Sequence, residues 1–382
     1  MLFLAPRYPL PATRGDQLRV VHLVRALSER AEVRLLAFGD GAAPEIAGVP
    51  STRVARGVLP AVEGNLAERS PLLPLQVRLY LDYRLRRVVR RALDEFRPDV
   101  LHVTLARMWP YASDVPAGVH VHLDLIDSLS LNMQTRAASS GTAERAVLSG
   151  EAALMRRYEE AATLSADSAT VVSEQDRTVP GLERATVLPN GVDIDSIPFS
   201  DPADRPRALT FFGNLGYFHN VEPARFLATE VLPLVTEAEP GVRLRLVGAR
   251  PAATVRRLAE LDGVELHPDV ADMGAELHRA AVAVLPMFSG SGMKNKVLEA
   301  FCAGLPVVTN ATGIAGIEGS EAGEHYLRAE GAEDLAAACV RLLREPQERS
   351  RLAARGLELA RANYSWQSRA DSLLELYRSS RG

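Results

Sequence analysis

The segment 289–308 combines residue types that a phosphate-binding site needs, and it reads SGSGMKNKVLEAFCAGLPVV. Two glycines lie among serines at its start, and a predicted helix that carries Lys294, Lys296 and Glu299 follows. A glycine loop that leads into a helix presents unpaired backbone N–H groups and the positive end of the helix dipole, and both attract phosphate. Lys294 and Lys296 are the only lysines in the chain. We therefore infer that a compact ammonium group is needed here, the alternative being an ordinary solvated first turn of a helix.

A second glycine-rich loop reads GNLG and follows a predicted strand over 208–212. Two such loops at one edge of a parallel sheet can hold a diphosphate, because glycine lets the ligand approach the backbone N–H groups. Glu299 lies farther along its helix, where a carboxylate can accept hydrogen bonds from two ribose hydroxyls. We therefore predict a nucleoside diphosphate whose phosphates meet the loops and the two lysines. The predicted donor-binding residues are Gly213, Asn214, Gly216, Ser289, Gly290, Ser291, Gly292, Met293 and Glu299.

A third loop connects a predicted strand over 2–5 to the following helix and carries Arg14, Gly15 and Asp16, with Arg19 one turn further on. Asp16 is placed to cap that helix. Loops at the carboxyl ends of the strands in open α/β sheets are also where ligands bind. Two interpretations of this loop stay open, an ordinary connection and a contact to a phosphate or an acceptor.

Polar residues follow a predicted strand in the segment 119–130, which reads VHVHLDLIDSLS. Asp127 lies just past the strand end, where a carboxylate could orient or deprotonate an acceptor hydroxyl as a general base. The alternative role of this residue is the N-cap of the next helix. His102, His120 and His122 lie on predicted strands, a position that favours packing in the core over reactivity.

The segment 77–96 has the pattern of an amphipathic helix with arginines among apolar residues. Such a run of charge is usually a solvated helix face. The alternative is a surface near 78–91 that contacts anionic lipid headgroups or an acidic acceptor. The arginines are Arg78, Arg84, Arg86, Arg87, Arg90 and Arg91.

The composition limits the class of protein. At 382 residues, of which 47% are hydrophobic, the chain is long enough for two cores of domain size. A net charge of −4 disfavours a dedicated nucleic-acid binder. Cys302 and Cys339, the only cysteines, provide neither a disulfide framework nor a zinc-site spacing. No apolar run has the length of a signal peptide or of a membrane span of about 20 residues. We expect a cytoplasmic protein, the alternative being one peripheral to the inner face of the membrane; the composition leaves the oligomeric state open.

Strands and helices alternate along the chain, and this pattern predicts how the candidate residues are positioned. The segment 39–74, which is rich in proline, glycine and alanine, shows no assignable element. The polar, proline-rich stretch over 190–207 has the composition of an interdomain linker. Regular alternation on both sides of a linker predicts two α/β domains, over 1–195 and 196–364. Each is expected to be a doubly wound parallel sheet, with a cleft between the two.

Four stretches of the chain resemble the retaining glycosyltransferases of family 4, which have the GT-B fold with two Rossmann-like domains. They read LFLAPRYPLPATRGDQLRVVHLVRAL, PNGVD, GNLGYFHNVEPARF and GSGMKNKVLEAFCAGLPVV. The likeness is greatest to sugar transferases of bacterial exopolysaccharide and sorting systems. It implies that the domain over 196–364 holds a nucleotide-sugar donor, a UDP- or GDP-sugar, and that the domain over 1–195 holds a hydroxyl acceptor. It also implies that a helix over 365–382 crosses back to the first domain and that no metal ion or cofactor is required.

The chain departs from the pattern of that family. Many members carry two glutamates in the lysine motif, whereas here Glu299 is the second and Ser291 stands at the first, which leaves the donor sugar open. Members often place an arginine and a lysine after the second domain's first glycine loop, and GNLGYFHN has neither. We therefore expect Lys296 and Lys294 to stabilise the charge on the leaving β-phosphate. Asp127 occupies the place of a histidine that often contacts the donor sugar.

Two other classes of function remain as alternatives. A non-catalytic protein of the same fold would bind a nucleotide sugar without turnover, and Ser291 in place of an acid is compatible with that class. An NAD(P)-dependent oxidoreductase would also use two doubly wound sheets. The first strand-to-helix turn lacks the G-x-G-x-x-G spacing of dinucleotide-binding proteins, however, which favours the glycosyltransferase.

Overall fold

The chain folds into two compact units, and each is built on one parallel β-sheet. Unit 1 comprises Met1–Gly191 and Trp366–Gly382, and unit 2 comprises Val192–Ser365. The computed structural model describes residues 1–12, 14–40, 45–56, 73–138, 141–194, 197–288 and 295–380.

Unit 1 contains a seven-stranded sheet in the order β3-β2-β1-β4-β5-β6-β7, with all neighbours parallel. Its strands are β1 Leu2–Ala5, β2 Arg34–Phe38, β3 Ser51–Val54, β4 Val100–Thr104, β5 His120–Ile126, β6 Ser168–Val171 and β7 Thr186–Val187. Its helices are α1 Gly15–Ser28, α2 Leu75–Arg78, α3 Tyr83–Phe96, a 3₁₀ helix Ala106–Asp114, α4 Leu129–Ala138, α5 Thr142–Ser165, α6 Glu174–Arg177 and α15 Trp366–Ser379.

Unit 2 contains a six-stranded parallel sheet in the order β10-β9-β8-β11-β12-β13. Its strands are β8 Ala208–Phe212, β9 Arg243–Gly248, β10 Val264–Pro268, β11 Val282–Val284, β12 Val307–Thr309 and β13 Tyr326–Arg328. Its helices are α7 Phe218–Phe226, a π-helical turn Leu227–Val231, α8 Leu232–Ala238, α9 Ala253–Leu258, α10 Met273–Leu277, α11 Asn295–Cys302, α12 Ala311–Ile314, α13 Gly331–Arg344 and α14 Pro346–Tyr364.

Short apolar strands buried on both faces explain why both sheets are parallel. In β1 the side chains of Leu2 and Leu4 join one apolar cluster, whereas Phe3 and Ala5 join another, as the two-residue period of a strand requires. In each sheet the chain adds strands first on one side of its first strand and then on the other. That first strand is β1 in unit 1 and β8 in unit 2. The two doubly wound sheets predicted from the sequence are therefore confirmed.

The C-terminal helix α15 packs on unit 1. Trp366, Ala370, Leu373 and Tyr377 are buried on its inner side, at the spacing of one helical stripe. They belong to the apolar cluster that also contains the inner face of α1. This helix therefore completes one helical layer of unit 1. It joins that unit from far along the chain, since the last strand of the unit 1 sheet ends at Val187 and α15 begins at Trp366.

The predicted helix over 77–96 is wrong in one respect, because the structure divides it. Helix α3 starts only at Tyr83, and Asp82 caps it by accepting a hydrogen bond from the Arg84 N–H at 2.8 Å. The hydroxyl of Tyr111 donates to the Tyr80 carbonyl at 2.6 Å and accepts from the Asp82 N–H at 2.8 Å. These bonds satisfy the backbone of the turn between α2 and α3, so the chain need not stay helical.

The unassigned segment 39–74 contains the edge strand β3. Among the described residues, Ser51–Val54 pair only with β2, and only Val54 of this strand is buried. A strand with one neighbour and one buried side chain lacks the apolar run that identified the central strands. No helix of the described residues is both long and apolar enough to pass through a bilayer.

Candidate functional site

The switch point of the unit 2 sheet lies between β8 and β11, which are adjacent in the sheet but not in the chain. Chain connections leave this point toward opposite faces, which opens a crevice at the carboxyl ends of the strands. The GNLG loop follows β8, and the segment after β11 leads to α11. The GNLG loop and the start of α11 therefore lie at the place where open α/β sheets bind ligands. Ser289, Gly290, Ser291, Gly292, Met293 and Lys294 lie outside the described residues.

Lys296 lies in the first turn of α11 and is half-buried. Its ammonium group donates a hydrogen bond to Asn220 Oδ1 and lies 4.6 Å from the centroid of the Phe211 ring. The Asn220 amide in turn donates to the backbone carbonyl of Asn214 at 2.7 Å. The only described lysine is thus held against the loop that follows β8.

Gly213 makes this close approach possible. Its backbone has φ +132°, a conformation that side chains disfavour, and an added Cβ would lie 2.6 Å from Lys296 Cε. An added Cβ at Gly248, whose φ is +148°, would lie 1.7 Å from the Gly213 carbonyl oxygen. Glycine at both positions therefore lets the lysine and two strand ends converge.

The remaining described donor-binding candidates lie around the same corner. The Asn214 side chain is exposed and accepts a hydrogen bond from the Gly216 N–H at 3.1 Å, which fixes the tip of the loop. Glu299 lies three residues after Lys296 on α11, so both project from one helix face. Burial raises the pKa of Glu299, and the Lys296 charge partly opposes that rise. A half-buried carboxylate of this kind suits neutral hydroxyl donors.

Two asparagines at the corner were not among the predicted site residues. Asn220 holds Lys296, as described above. Asn310 joins the ends of β11 and β12, since its side chain donates to the Met287 carbonyl at 2.9 Å and accepts from the Met287 N–H at 3.1 Å. It also caps α12 by accepting from the Gly313 N–H at 2.9 Å. The signal that could have identified it is an asparagine directly after a β-branched strand and three residues before a glycine.

Arg19, predicted to contact a phosphate or an acceptor, instead lies in the core of unit 1. Its guanidinium forms two hydrogen bonds to the Asp124 carboxylate, at 2.7 and 3.2 Å. Its third nitrogen donates to the Leu188 carbonyl at 3.1 Å and to Asn190 Oδ1 at 2.9 Å. With 0% of its side chain exposed, Arg19 has no access to a ligand. The expectation is corrected, because the arginine neutralises a buried aspartate.

The three histidines are buried near this ion pair, as the sequence favoured. His122 lies between Ser168 and Thr170, at 2.8 and 3.1 Å, and Thr170 donates to Asp124 at 3.0 Å. His102 makes a 2.7 Å hydrogen bond with the hydroxyl of Tyr377 on α15. We refer to Arg19, Asp124, Thr170, His102, His122 and Tyr377 as the Arg19 network.

Electrostatics explain the charge states of the Arg19 network. Although burial alone would raise the pKa of Asp124, the Arg19 charge and a contact with His102 hold it well below its usual range. Burial lowers the pKa of His102, and it lowers that of His122 still further with help from the neighbouring imidazole. The network therefore contains one buried ion pair and neutral imidazoles at neutral pH.

Asp127 lies after β5, half-buried, and accepts a hydrogen bond from the Asn132 amide at 2.6 Å. The alternative role as N-cap belongs to its neighbour Ser128, whose hydroxyl accepts from the Leu131 N–H at 3.2 Å. Glu159 completes that helix start by accepting from the Leu129 N–H at 2.6 Å. Burial raises the pKa of Asp127. The role of Asp127 as a general base stays a prediction.

The loop before α1 differs from the expected cap. Arg14 occupies the N-cap position without a side-chain hydrogen bond, and both Arg14 and Gly15 are exposed. Asp16 does not cap the helix; its carboxylate lies 3.1 Å from Arg7 Nε in an ion pair. Asp16 is the second residue of α1, so it lies past the N-cap position. A contact of Arg14, Gly15 or Asp16 with a ligand stays a prediction.

Several arginines of the α2–α3 segment bind to neighbouring protein groups. Arg84 pairs with Asp82 at 2.9 Å, Arg91 pairs with Glu95 at 2.7 Å, and Arg86 donates to a backbone carbonyl at 3.4 Å. These local pairs favour a solvated helix face over a uniform cationic surface. Contact with a membrane stays a prediction.

Comparisons with known proteins agree with the geometry of both units. Residues 14–196 match the family model described as Glycosyltransferase Family 4, and residues 206–345 match the one described as Glycosyl transferases group 1. A search of curated protein sequences finds no match.

Solved structures with the same fold span nearly the whole chain. Sucrose-phosphate synthase from Thermosynechococcus elongatus has 18% identity and a TM-score of 0.64, over 99% of this chain and 98% of that one. Anabaena HepE in complex with UDP and glucose has 16% identity and a TM-score of 0.61, over 99% of both chains. WaaG, a glycosyltransferase involved in lipopolysaccharide biosynthesis, has 17% identity and a TM-score of 0.58, over 98% and 99%. With two family models that together match most of its length, the chain belongs to the family 4-type glycosyltransferases of the GT-B fold.

Proposed function

We propose that this glycosyltransferase moves a sugar from a nucleoside-diphosphate sugar to an acceptor hydroxyl, with retention of configuration. The observation that supports the donor most directly is the position of Lys296. Its ammonium group lies at the switch point of the unit 2 sheet, held by Asn220 against the Gly213 loop. A fixed cation beside glycine-lined backbone suits a diphosphate.

The proposed reaction exchanges one bond at the anomeric carbon of the donor sugar. The bond to the β-phosphate oxygen breaks, and the acceptor oxygen forms a new bond to that carbon on the same face. Negative charge develops on the leaving β-phosphate. Lys296, Lys294 and the amino end of the lysine-bearing helix are proposed to stabilise that charge more strongly in the transition state than in the ground state. In this scheme no metal ion or cofactor is needed.

The acceptor is proposed to bind to unit 1, with Asp127 taking the proton of the attacking hydroxyl. The position of Asp127 at the carboxyl end of β5 supports this role, since it places the carboxylate at the ligand-binding edge of the sheet. The raised pKa of Asp127, which burial causes, makes it a stronger base than an exposed carboxylate. As an alternative to Asp127, the leaving phosphate can accept the proton of the attacking hydroxyl.

A uridine nucleotide is the favoured donor. HepE, which shares the fold, is described in complex with UDP-glucose. In this chain, Glu299 is placed on the same helix face as Lys296, where it can accept hydrogen bonds from the ribose hydroxyls of such a donor. Because Ser291 replaces an acid that usually faces the donor sugar, the sugar itself has to be measured.

A panel of labelled UDP- and GDP-sugars tests the proposal without knowledge of the acceptor. With one matching donor, we expect slow release of nucleoside diphosphate by hydrolysis, and this release should be lost in Lys296→Ala. Nuclear magnetic resonance of the released sugar reports whether its anomeric configuration is retained at first release. Binding without any release would favour a non-catalytic protein, and thermal stabilisation by NAD(P) alone would favour an oxidoreductase.

A further inference from the structure

Arginines cluster at the carboxyl edge of the unit 1 sheet. Arg7 follows β1, Arg56 follows β3, and Arg107 lies in the 3₁₀ helix that follows β4. Because β1, β3 and β4 are parallel strands of one sheet, these three chain segments lie at the same edge of that sheet. The switch point of this sheet lies between β1 and β4, so the arginines lie where a ligand is expected. We refer to Arg7, Arg56, Arg107 and Tyr80 as the arginine cluster.

Tyr80 lies at the centre of the arginine cluster. The Cζ atom of Arg56 is 4.4 Å from the centroid of the Tyr80 ring, and that of Arg107 is 5.1 Å away. Arg107 also donates a hydrogen bond to the Tyr80 hydroxyl at 3.5 Å. Because Tyr111 holds the Tyr80 carbonyl and the Phe38 ring packs edge-on at 6.2 Å, the tyrosine is a fixed support for two guanidinium groups.

Within the described residues, protein contacts neutralise only part of the positive charge of the arginine cluster. Asp16 pairs with Arg7 at 3.1 Å, whereas Arg56 is exposed and donates to a neutral carbonyl, that of Leu79, at 2.6 Å. Although burial would raise the pKa of Tyr80, the charges of Arg107, Arg7 and Arg56 together lower it. This field is local, because the chain as a whole has a net charge of −4.

Arg107 has a donor that the protein leaves unused. Its Nε is buried and has no hydrogen-bond partner within the described part of the chain. A buried N–H without a partner is costly, and a bound anion is one way to satisfy it. The missing partner is an acceptor of hydrogen bonds, and the surrounding charge favours an anion.

We propose that the arginine cluster binds a phosphate group of the acceptor. This inference rests on the proposed function, in which unit 1 holds the acceptor. A carboxylate is satisfied by one planar guanidinium, whereas the donors of two guanidinium groups and a phenol lie around a single ring here. Three terminal oxygens on a tetrahedral phosphate match that arrangement. The sugar would therefore be transferred to a phosphorylated acceptor, either soluble or part of a lipid headgroup.

Titration calorimetry with methyl phosphate tests the proposal on the full chain, with acetate as the planar anion. We expect saturable binding of methyl phosphate that weakens with salt, and affinity for acetate about tenfold lower. Arg56→Gln and Arg107→Gln should each weaken methyl phosphate binding about tenfold. Asp16→Asn removes the carboxylate that pairs with Arg7, so it should tighten methyl phosphate binding about threefold. Arg25→Gln, an exposed arginine near the far end of α1, is the matched control and should change nothing.

Two results would overturn the proposal: methyl phosphate binding that is unchanged in both Arg56→Gln and Arg107→Gln, or equal affinity for acetate. Circular dichroism and thermal melting confirm that the variants fold, and the exposed Arg56 provides a variant with little risk to the fold. Vesicles of phosphatidylcholine with phosphatidic acid identify the source of the phosphate. Binding lost with Arg56→Gln indicates a lipid, and vesicle binding that is absent or unaffected indicates a soluble acceptor.

The same titrations in Lys296→Ala separate this inference from the proposed function. If the donor site is wrong but the arginine cluster is right, methyl phosphate still binds with its dependence on Arg56 and Arg107. If the donor site is right but the cluster is not, Lys296→Ala weakens UDP binding, whereas Arg56→Gln and Arg107→Gln leave methyl phosphate binding unchanged.

Discussion

The Arg19 network of unit 1 and the Lys296 corner of unit 2 place their cations in opposite settings. Arg19 and Asp124 have 0% and 1% of their side chains exposed, and protein groups bind every nitrogen of the guanidinium. Lys296 is half-buried at a sheet edge, and its anchor is the neutral side chain of Asn220. A buried cation matched by a carboxylate stabilises the fold, whereas a half-buried cation at the carboxyl edge of a sheet is also accessible to a ligand.

The two regions also differ in whether apolar side chains could replace their charged residues. A buried ion pair of the kind that Arg19 forms can be exchanged for apolar side chains of similar volume with little loss of stability. No apolar side chain can replace Lys296 if its role is to stabilise a leaving phosphate. Substitutions in the Arg19 network should therefore change stability, and those in the Lys296 corner should change the rate of transfer.

The largest effect is expected from Arg19→Met. This substitution leaves the Asp124 carboxylate buried without its cation, and it should lower the free energy of unfolding by about 3–5 kcal/mol. Urea unfolding measures the loss. Adding Asp124→Leu removes the unpaired charge and should restore a large part of it, so a double variant as unstable as the single one would argue against the ion-pair explanation.

Lys296→Ala should lower the rate of sugar transfer on the order of 10²-fold while the melting temperature stays close to that of the wild type. The reason is loss of the cation that faces the leaving phosphate. Initial rates of transfer or donor hydrolysis measure the effect, with Arg25→Ala as a control on an exposed cation of unit 1. Wild-type turnover in Lys296→Ala would remove this residue from the mechanism.

Asn220→Ala should lower the rate about tenfold, because the Lys296 ammonium loses the group that positions it. A structural role alone would lower stability instead. A double-mutant cycle distinguishes the two, since a residue that acts only through Lys296 has no further effect in the Lys296→Ala background. Independent, additive losses in kcat would show that Asn220 acts separately.

The buried histidines should make stability depend on pH. Burial lowers the pKa of His102 and His122 in the folded state, so below the unfolded value of about 6.5 only the unfolded chain takes up these protons. Stability is therefore complete above pH 6.5 and declines as the pH falls, by up to about 1.4 kcal/mol per pH unit for each histidine. Urea unfolding at pH 7.5, 6.5 and 5.5 measures this slope. It should be smaller in His122→Gln, and an identical slope would mean that His122 does not carry the effect.

The sequence predicted the elements of the fold where local pattern and burial agree. The predicted bounds of β1 and β8 match the observed Leu2–Ala5 and Ala208–Phe212, since both are apolar runs buried on both faces. The edge strand β3 and the turn that divides the predicted helix over 77–96 could not be found this way. Their conformation depends on single pairings with distant residues, such as those of Tyr111.

The candidate site was predicted only where its chemistry is local in the chain. Lys296 stood out because lysine is otherwise absent outside 294–296, but the partner that holds it, Asn220, lies 76 residues away. Arg19 was misread for the same reason, because its partner Asp124 is 105 residues distant. The arginine cluster could not be predicted, because Arg7, Arg56 and Arg107 follow three different strands. Chain-distant pairs emerge only when the sheet order is known.

A crystal structure of the full chain with uridine diphosphate tests the central claim most directly. The account predicts the β-phosphate at the carboxyl edge of the unit 2 sheet, with one of its oxygens about 3 Å from Lys296 Nζ and the ribose hydroxyls on Glu299. A diphosphate bound elsewhere, with Lys296 still hydrogen-bonded to Asn220 and touching no phosphate, would contradict it.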